Sequence, residues 1–359
     1  MTAKTLLLLF FGDATRDRRV QNFSRYFSEL GWKVELLALT AENTSGPKKF
    51  FHYHRHIQKA VRKKQADVVM ACDLYSLSAA RWLKKDRRAN VLIYDAREVY
   101  TELPSVAKSP IKKWIWKRLE QRGMMRTNIV IVNAPNDAQA ICDVHGFLPR
   151  PVLVRNLPWW EPEISRDRTL LAQFDISSDA KTIVYLGGLT HGRGLPKLFE
   201  ALKNIPVHLL IIGDGILRQE LETLTRNNGL AEKIHFAGAI ESNRAIEIVA
   251  SCDAGICLVE SISKSYELGL PSKIFEYMMC GIPIVANPLA QVKELFPNPD
   301  WLKYVDEKNI QSIEKGILDT LVNFDNSKIR EQERNTALEK YHFECDAKDL
   351  ARVLETFEK

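Results

Sequence analysis

Short apolar runs alternate with stretches of helical period along the whole chain. The runs are almost continuously apolar, which is typical of parallel strands buried on both faces. The predicted strands are Thr5–Phe11, Lys33–Ala38, Val68–Ala71, Val91–Tyr94, Ile129–Val132, Val152–Val154, Thr182–Leu186, Val207–Ile212, Ile234–Phe236, Ala254–Leu258 and Pro283–Ala286. Amphipathic stretches such as Arg18–Leu30, Leu74–Lys84 and Ile111–Arg126 predict the helices between them. The alternation favours an α/β fold built from βαβ units.

An irregular stretch near the middle of the chain separates two such series. Asn156–Pro162 holds two prolines and a Trp pair without regular period, as expected of a stiff linker. A length of 359 residues also fits about two domains. We therefore expect two doubly wound, Rossmann-like domains, at residues 1–158 and 159–340, followed by a helical segment at residues 341–359.

Charge is distributed unevenly between the two halves. The composition, 45% hydrophobic and 27% charged, is that of a globular protein and excludes a disordered or disulfide-scaffold chain. The net charge is +6, but residues 1–158 hold 28 Lys and Arg against 14 Asp and Glu, and the remainder holds 23 against 31. A basic first half indicates an anionic partner, namely a membrane surface, a nucleic acid or a phosphorylated substrate. The alternative is a solvated face without a partner.

The cysteines and the N-terminal residues indicate the cellular compartment of the protein. The six cysteines form no C-x-x-C pair and no zinc-ligand spacing, which favours a reduced, cytoplasmic protein. Leu6–Phe11 is too short for a signal peptide and leads into Gly12 without a cleavage site. No stretch reaches the ~20 apolar residues of a membrane span. We expect a cytoplasmic protein whose membrane contact, on the inner face of the cell membrane, is peripheral.

Three glycine-containing elements of the second half carry the candidate chemistry. Glycines let backbone amides approach an anion, and a helix N-terminus favours negative charge. Tyr185–Gly194 and Ile212–Gly215 are turns after predicted strands, and Leu270–Val285 holds a short helix. The candidate residues on these elements are Gly187, Gly188, Arg193, Gly213, Asp214, Gly215, Pro271, Ser272, Lys273 and Glu276.

Lys273 and Glu276 are neighbours on one face of that short helix, at i and i+3. One interpretation places a phosphate at the helix N-terminus and a vicinal diol, such as a ribose, on the carboxylate. The alternative is an exposed ion pair beside turns that only connect elements. A nicotinamide dehydrogenase or a P-loop enzyme is not favoured, because neither G-x-G-x-x-G after the first strand nor G-x-x-x-x-G-K-[ST] occurs.

The ordered series of these motifs resembles the donor-binding domain of the family 4 glycosyltransferases, retaining enzymes of the GT-B architecture within the glycosyl transferases group 1. The matching runs are V-Y-L-G-G-L…R-G, I-I-G-D-G, H-F-A-G, C-D-A-G-I and P-S-K-I-F-E-Y-M…G-I-P-I-V. In the first half, Asp17–Val20, Gly31–Val34 and Tyr94–Glu98 resemble the family's opening helix, second strand and loop after the fourth strand.

The resemblance implies a GT-B fold, in which two Rossmann-like domains face each other across a cleft. The nucleotide-sugar donor, linked to UDP or GDP, would bind mainly the second domain and the acceptor the first, with the final helix packing back on the first. It implies a retaining, hexosyltransferase-type enzyme that acts on a glycan or lipid-linked acceptor in surface polysaccharide or glycolipid biosynthesis. No cofactor and no divalent metal are implied. Glu276 matches the presumed ribose ligand, and Gly12 is a further candidate donor-binding glycine.

Two positions on the donor side depart from the family pattern. Leu268 stands where the first Glu of the E-x7-E signature is expected, and Glu267, one position away, is the candidate to replace it. Gly188 stands where an Arg is usual, which leaves Arg193 and Lys273 to neutralise the diphosphate.

A third departure lies on the acceptor side. Arg97 replaces the His of the D-x-H-E loop, and an Arg cannot act as a base at neutral pH. We expect it to hold the diphosphate or an acidic acceptor, or else to form a structural pair with Glu98. The candidate catalytic residues are thus Arg97, Arg193, Glu267 and Lys273. Two other readings stay open: a sugar-nucleotide epimerase or hydrolase on the same fold, and a non-catalytic binding module.

The predicted helix after Ser109 suits a lipid headgroup interface, because it mixes basic residues with tryptophans. The basic residues are Lys112, Lys113, Lys117 and Arg118. Trp114 and Trp116 cannot share one helical face, so we expect at least one in the core. The clusters Arg62–Lys64 and Lys84–Arg88 are predicted to widen the basic surface. We expect an anionic membrane rather than a nucleic acid as partner, because the chain shows no nucleic-acid-binding module.

Overall fold

The chain divides into two α/β units. The computed structural model describes residues 3–40, 48–161, 163–322 and 327–357, so Pro162 of the predicted linker and the last two residues of the final segment lie outside it. Unit 1 comprises Met1–Asn156, Ser263–Ser265 and Phe343–Lys359, and unit 2 comprises Leu157–Ile262 and Tyr266–His342. The change of unit after Asn156 lies two residues before the predicted boundary, whereas the sequence did not suggest the assignment of Ser263–Ser265.

Unit 1 is built on a parallel sheet of six strands. The strands are β1 (Thr5–Phe11), β2 (Lys33–Leu39), β3 (Ala66–Ala71), β4 (Ala89–Ala96), β5 (Ile129–Val132) and β6 (Pro151–Leu153). Their order is β2-β1-β3-β4-β5-β6, with Leu6 opposite Val34 on one side and Val68 on the other. The helices are α1 (Arg18–Glu29), α2 (Lys48–Val61), α3 (Leu74–Lys85), α4 (Pro104–Ala107), α5 (Pro110–Met124), α6 (Pro135–His145) and, from the chain end, α15 (Phe343–Glu355).

Local sequence explains why these elements form where they do. Leu6 to Leu9 are all buried, as a strand covered on both faces requires. Helix α1 begins after Asp17, whose carboxylate accepts a hydrogen bond from the backbone N–H of Val20 at 2.9 Å. Helix α6 ends at Gly146, which has a φ of 76°, the left-handed conformation that glycine adopts without strain.

The last helix of the chain packs within unit 1. The ring of Phe343 at the start of α15 lies edge-on to Phe23 of α1, with centroids 5.1 Å apart. Asp346 accepts hydrogen bonds from the backbone N–H of Arg155, just after β6, and from the guanidinium of the same residue, at 2.8 and 2.6 Å. Aromatic packing and a charged pair therefore tie α15 to α1 and to the end of the first sheet.

Unit 2 is built on a second parallel sheet of six strands. These are β7 (Thr182–Leu186), β8 (His208–Ile212), β9 (Ile234–Gly238), β10 (Ala254–Cys257), β11 (Ile284–Ala286) and β12 (Leu302–Tyr304), in the order β12-β11-β10-β7-β8-β9. The helices of the second half are α7 (Leu195–Leu202), α8 (Arg218–Asn227), α9 (Ser242–Ser251), α10 (Lys264–Glu267), α11 (Ser272–Cys280), α12 (Ala290–Leu295), α13 (Ile310–Val322) and α14 (Ser327–Lys340). This strand order is that of the Rossmann fold. Strands β8 and β9 are added on one side of β7 and strands β10 to β12 on the other, so the switch point lies between β7 and β10.

The structure confirms the predicted α/β fold of two doubly wound sheets. All eleven predicted strands are present, with ends that differ by no more than two residues. The sequence missed β12, which is only three residues long and pairs with β11 at the edge of the sheet. The first sheet has the flavodoxin-like order, with its switch point between β1 and β3. The strict Rossmann order therefore applies to unit 2 alone.

Candidate functional site

Two glycine turns meet at the carboxyl edge of the second sheet. Gly187 follows β7, and its backbone N–H donates to the carbonyl of Ile212 at the end of β8, at 2.9 Å. Two residues further on, the N–H of Leu189 donates to the carbonyl of Asp214 at 3.0 Å. The turns therefore hold one another in place beside the switch point of the sheet, where ligands of open α/β sheets bind.

Close approach of the two turns requires glycine at some positions and not at others. Gly213 has a φ of 143°, and a Cβ there would lie 2.0 Å from the carbonyl oxygen of Gly187. A Cβ at Gly215 would lie 2.4 Å from the carbonyl oxygen of Leu189. Gly188 differs, because a Cβ there would meet its nearest neighbour, the carbonyl oxygen of Asp214, only at 3.9 Å. Gly213 and Gly215 shape the turns, whereas Gly188 leaves open space.

The amine of Lys273 lies in the space beside these turns. Its Nζ stands 3.7 Å from the centroid of the Tyr185 ring, and a Cβ at Gly187 would lie 3.4 Å from it. Tyr185 lies in β7, two residues before Gly187. The side chain of Lys273 is only 8% exposed, and within the described ranges no carboxylate forms an ion pair with its amine. A buried ammonium that faces a ring rather than a carboxylate is suited to an anionic ligand.

Burial lowers the pKa of Lys273 to about 8, and the charge of Arg193 acts in the same direction. The Cys257 thiol and the carboxylate of Glu276 oppose this shift. The amine is therefore mostly protonated at neutral pH. Its proton is nevertheless held less tightly than that of an exposed lysine, and a bound anion would raise the pKa again.

Helix α11 brings Lys273 to the site with its N-terminus. Pro271 occupies the cap position in an extended conformation, so the N–H groups of Ser272 and Lys273 begin the helix without intrahelical acceptors. The helix ends at Gly281, which has a φ of 61°. Helix α11 therefore contributes backbone donors, the positive end of its dipole and the side-chain ammonium of Lys273.

Tyr277 fixes α11 against the strands on both sides of the switch point. Its hydroxyl accepts a hydrogen bond from the N–H of Leu186 at 3.0 Å, and it lies 3.2 Å from the carbonyl oxygens of Val184 and Ile256. Neither Tyr277 nor Tyr185 was among the residues predicted for the site. The signal for Tyr185 was its spacing of two from Gly187, whereas the role of Tyr277 depends on strands remote in sequence.

Arg193, in the loop before α7, lies close to the end of α10, which holds Glu267. The guanidinium of Arg193 stacks over the Tyr266 ring, 5.0 Å from its centroid, and its Nε lies 3.4 Å from the Thr190 hydroxyl. Glu267 ends α10, is exposed and accepts a hydrogen bond from the hydroxyl of Ser261. Arg193 and Glu276 act electrostatically on Lys273, so these three charged candidates belong together.

The remaining two candidates belong to unit 1. Gly12, in the turn after β1, has a φ of 153° and donates its N–H to the carbonyl of Leu39 at 3.2 Å. The guanidinium of Arg97 donates to the Asp17 carboxylate at 2.5 and 3.0 Å and lies 3.4 Å from Asp95. Arg97 therefore pairs with these two aspartates, and its pairing with Glu98 stays a prediction.

Arg97 stays charged in this setting. Burial alone would lower its pKa, but the hydrogen bond to Asp17 and the charge of Asp95 outweigh burial and raise the pKa above the ordinary value for arginine. Two carboxylates already balance its charge. Among the described residues, no group of three or more His, Cys, Asp or Glu side chains is arranged to hold a metal ion.

Residues 167–338 match the sequence profile of the family described as Glycosyl transferases group 1. This stretch is similar to a group 1 glycosyl transferase domain. The match covers the elements that build the site, from the glycine turn after β7 to α11, and it confirms the expected relationship to this group. The narrower expectation, retaining family 4, stays a proposal.

Solved structures resemble the chain over nearly its whole length. Sucrose-phosphate synthase from Thermosynechococcus elongatus has a TM-score of 0.78 at 15% identity, covering 98% of each chain. Anabaena HepE, solved in complex with UDP and glucose, has a TM-score of 0.72 at 16% identity, covering 98% of this chain and 100% of its own. At such low identity the likeness shows the fold alone, and it confirms the predicted GT-B fold.

A curated relative extends the comparison. The lipopolysaccharide core biosynthesis glycosyltransferase LpsE of Rhizobium meliloti is 27% identical over 162 residues, which are 45% of this chain and 44% of LpsE. The chain spans about half the length of the curated relatives it matches. Within the residues that the structure describes, no helix combines the length and apolar character that a membrane span needs.

Proposed function

We propose that the protein is a retaining glycosyltransferase that transfers a sugar from a UDP- or GDP-linked donor to a glycan or lipid-linked acceptor in surface polysaccharide or glycolipid biosynthesis. Unit 2 would bind the donor and unit 1 the acceptor. The observation that carries the proposal is the buried amine of Lys273, a residue of the first turn of α11. This amine lies beside Gly187 and has no carboxylate partner in the described residues.

This arrangement supports diphosphate as the anion. The amine, the start of α11 and the guanidinium of Arg193 supply positive charge without a metal ion, and they gain strength as charge develops on the leaving group. Glu276 lies one turn along α11 and offers a carboxylate for the ribose hydroxyls. The open space at Gly188 leaves the phosphate access to the turn. The likeness to HepE, which was solved with UDP and glucose, supports the same class of donor.

The proposed reaction retains the configuration of the sugar. The bond between the anomeric carbon and the diphosphate oxygen breaks, and a bond to the acceptor oxygen forms on the same face. The acceptor proton passes to the departing phosphate oxygen, because the side chain at the D-x-H-E position, Arg97, is a permanent cation. Arg97, held by Asp17 and Asp95, would contribute positive electrostatic potential and steric shape to the acceptor site and would not transfer a proton.

The acceptor side of the proposal rests on charge. The excess of basic residues in 1–158 suits a phosphorylated or lipid-linked acceptor and contact with an anionic membrane. The relative LpsE, named for lipopolysaccharide core biosynthesis, supports the same class of product. Glu267 remains the candidate for the first carboxylate of the signature, since its side chain is exposed at the end of α10.

Product analysis tests the proposal. The protein is incubated with a panel of UDP- and GDP-sugars, with and without membrane lipid and glycan extracts, and release of nucleoside diphosphate is followed. A transferase releases it only when acceptor is present, and NMR of the product shows retained anomeric configuration. Turnover of donor alone would favour the epimerase or hydrolase reading. Nucleotide binding without any turnover would favour the non-catalytic module.

A matched pair of lysine variants controls the assay. Lys273→Met removes the proposed diphosphate contact. Lys293→Met removes an exposed lysine that also lies over a tyrosine ring, 4.3 Å from the centroid of Tyr304, away from the glycine turns. Turnover is expected to fall sharply in the first variant and to stay unchanged in the second.

A further inference from the structure

One face of α5 exposes apolar side chains to solvent. Ile111 is 73% exposed, Trp114 64%, Ile115 43% and Leu119 46%. Their spacing of three, four and eight residues from Ile111 places them on one side of a helix. Single exposed apolar residues are ordinary, whereas four on one helix face mark an interaction surface. We call these four residues the apolar stripe.

The opposite face of α5 anchors the helix to unit 1. The Trp116 ring packs edge-on to Phe50 and to Tyr75, with centroids 5.7 and 5.5 Å apart. The buried carboxylate of Glu120 accepts a hydrogen bond from the Tyr94 hydroxyl at 2.7 Å. The tryptophan pair is thus divided as expected, with Trp116 packed inward and Trp114 exposed. The apolar stripe belongs to a well-anchored helix, so its exposure is a property of the fold.

Basic side chains surround the apolar stripe. Arg118 and Arg122 are exposed at helical positions between its members, and Lys112 and Lys117 are exposed on its two flanks. Lys113 points elsewhere and pairs with Glu102 at 2.6 Å. Glu120 is the one acidic residue in the sequence of Pro110–Met124, and it is buried. The outward face therefore combines apolar and cationic groups without a carboxylate.

We propose that this outward face of α5 docks the protein onto the surface of an anionic lipid bilayer, with the apolar stripe inserted at the headgroup level and the arginines and lysines paired with lipid phosphates. Trp suits the interface, and long basic side chains reach the headgroups while their stems stay apolar. A second copy of the chain is a poorer occupant. A symmetric dimer through this face would bring its cations against each other. The inference deepens the membrane contact of the proposed function.

The position of α5 in unit 1 suits such a role. The chain leaves the carboxyl end of β4 through the loop of Arg97, passes the 3-10 turn Tyr100–Glu102 and α4, and enters α5. The ion pair between Lys113 and Glu102 fastens the start of α5 to this connection. A bilayer bound to α5 would present a lipid-linked acceptor at the end of unit 1 where the Arg97 loop lies.

Vesicle sedimentation tests the proposal on the full chain without donor or acceptor, so that its outcome is independent of transferase activity. We expect binding to vesicles of phosphatidylcholine mixed with phosphatidylglycerol and none to phosphatidylcholine alone. Trp114→Ser/Ile115→Ser is expected to lower the partition coefficient about tenfold or more. Arg118→Glu/Arg122→Glu is expected to lower it at least about fivefold for each residue changed.

Matched variants distinguish binding through the α5 face from non-specific binding to vesicles. Leu318→Ser/Val322→Ser removes exposed apolar side chains of α13 in unit 2. Arg226→Glu/Lys315→Glu reverses exposed charges of unit 2. Both are expected to keep full binding. Equal binding to the two kinds of vesicle, or loss in the Arg226/Lys315 variant with retention in both α5 variants, overturns the proposal. Far-UV circular dichroism and nucleoside diphosphate binding confirm that each variant is folded.

Two further measurements locate the contact and exclude self-association. Bromolipid in the anionic vesicles is expected to quench Trp114, and Trp114→Phe is expected to abolish most of the quenching while vesicles still bind. Unchanged quenching in that variant contradicts insertion of the apolar stripe. Light scattering is expected to show the same mass for the wild type and for Trp114→Ser/Ile115→Ser. A dimer that the double substitution splits assigns this face to a second copy and overturns the proposal.

Discussion

Replacing Lys273 by methionine has two opposite consequences that follow from its burial. Methionine keeps much of the length of the lysine side chain and removes its charge. Without ligand, the ammonium is buried over Tyr185 with no carboxylate partner in the described residues, so its loss should stabilise unit 2. With ligand, the same ammonium is the charge that the proposed diphosphate needs, so its loss should weaken binding.

The size of each effect follows from the site. The pKa of Lys273 lies at about 8 instead of 10.5. At 1.36 kcal/mol per pKa unit this corresponds to about 3 kcal/mol at neutral pH, from which the cation–π contact of about 1–2 kcal/mol is subtracted. A net gain of about 1–2 kcal/mol in the free energy of unfolding is expected. Loss of a buried charge partner costs about 2–4 kcal/mol of binding, which is about 30- to 1,000-fold in Kd.

The effect of the buried Lys273 ammonium on stability and on nucleotide binding is expected to depend on pH. A lysine whose folded-state pKa is lowered is more often protonated in the unfolded chain between pH 8 and 10.5, so the stability of the ligand-free wild type rises across that window relative to the variant. Nucleotide affinity of the wild type should fall above about pH 8, as the free enzyme loses the proton that the anion requires.

Urea unfolding and isothermal titration with UDP and GDP measure both effects, with Lys293→Met as control. The expected result is a Lys273→Met protein that is more stable and binds nucleoside diphosphate far more weakly. A folded variant with unchanged Kd would refute the placement of the diphosphate. A variant less stable than the wild type would refute the account of an uncompensated buried charge.

Three further substitutions test the packing that supports the site. Gly213→Ala should destabilise unit 2 and abolish nucleotide binding, because the alanine Cβ would meet the carbonyl oxygen of Gly187, whereas Gly188→Ala should be tolerated. Equal shifts of the melting temperature in the two variants would contradict the turn geometry. Tyr277→Phe should lower the free energy of unfolding by about 1–3 kcal/mol, since it leaves the Leu186 N–H without its acceptor; a neutral result in urea titration would contradict this. Glu333 is buried with neither carboxyl oxygen hydrogen-bonded, and burial raises its pKa well above the ordinary value. The stability of the wild type should therefore fall as the pH rises above about 4.5, and Glu333→Gln should remove this pH dependence. Melting temperatures that change equally with pH in both proteins between pH 4 and pH 8 would contradict it.

Most of the fold was predictable because its signals are local. Buried parallel strands are continuous apolar runs, and caps such as Asp17 and Gly281 mark helix ends directly. The edge strand β12 was not predictable in the same way, because its three residues include the exposed Lys303 and its pairing with β11 is a tertiary contact. The strand order of the first sheet is likewise set by packing between remote segments.

The candidate site was predictable where chemistry and spacing coincide in one motif. Lys273 and Glu276 share a helix, and the structure places Lys273 at the glycine turns. The support of that lysine by Tyr185 and the anchoring of α11 by Tyr277 arise from contacts between separate motifs. The partners of Arg97 show the same limit, since Asp17 lies eighty residues away along the chain and reaches it only in the folded sheet.

A crystal structure of the full chain with a bound nucleoside diphosphate tests the central claim most directly. We expect the diphosphate to lie against the Nζ of Lys273 and the first N–H groups of α11, near Gly188, and the ribose hydroxyls to bind Glu276. A nucleotide bound elsewhere would contradict it, for example in the cavity of about 200 Å³ lined by Trp301, Lys303 and Arg330, with the amine of Lys273 still facing Tyr185 alone.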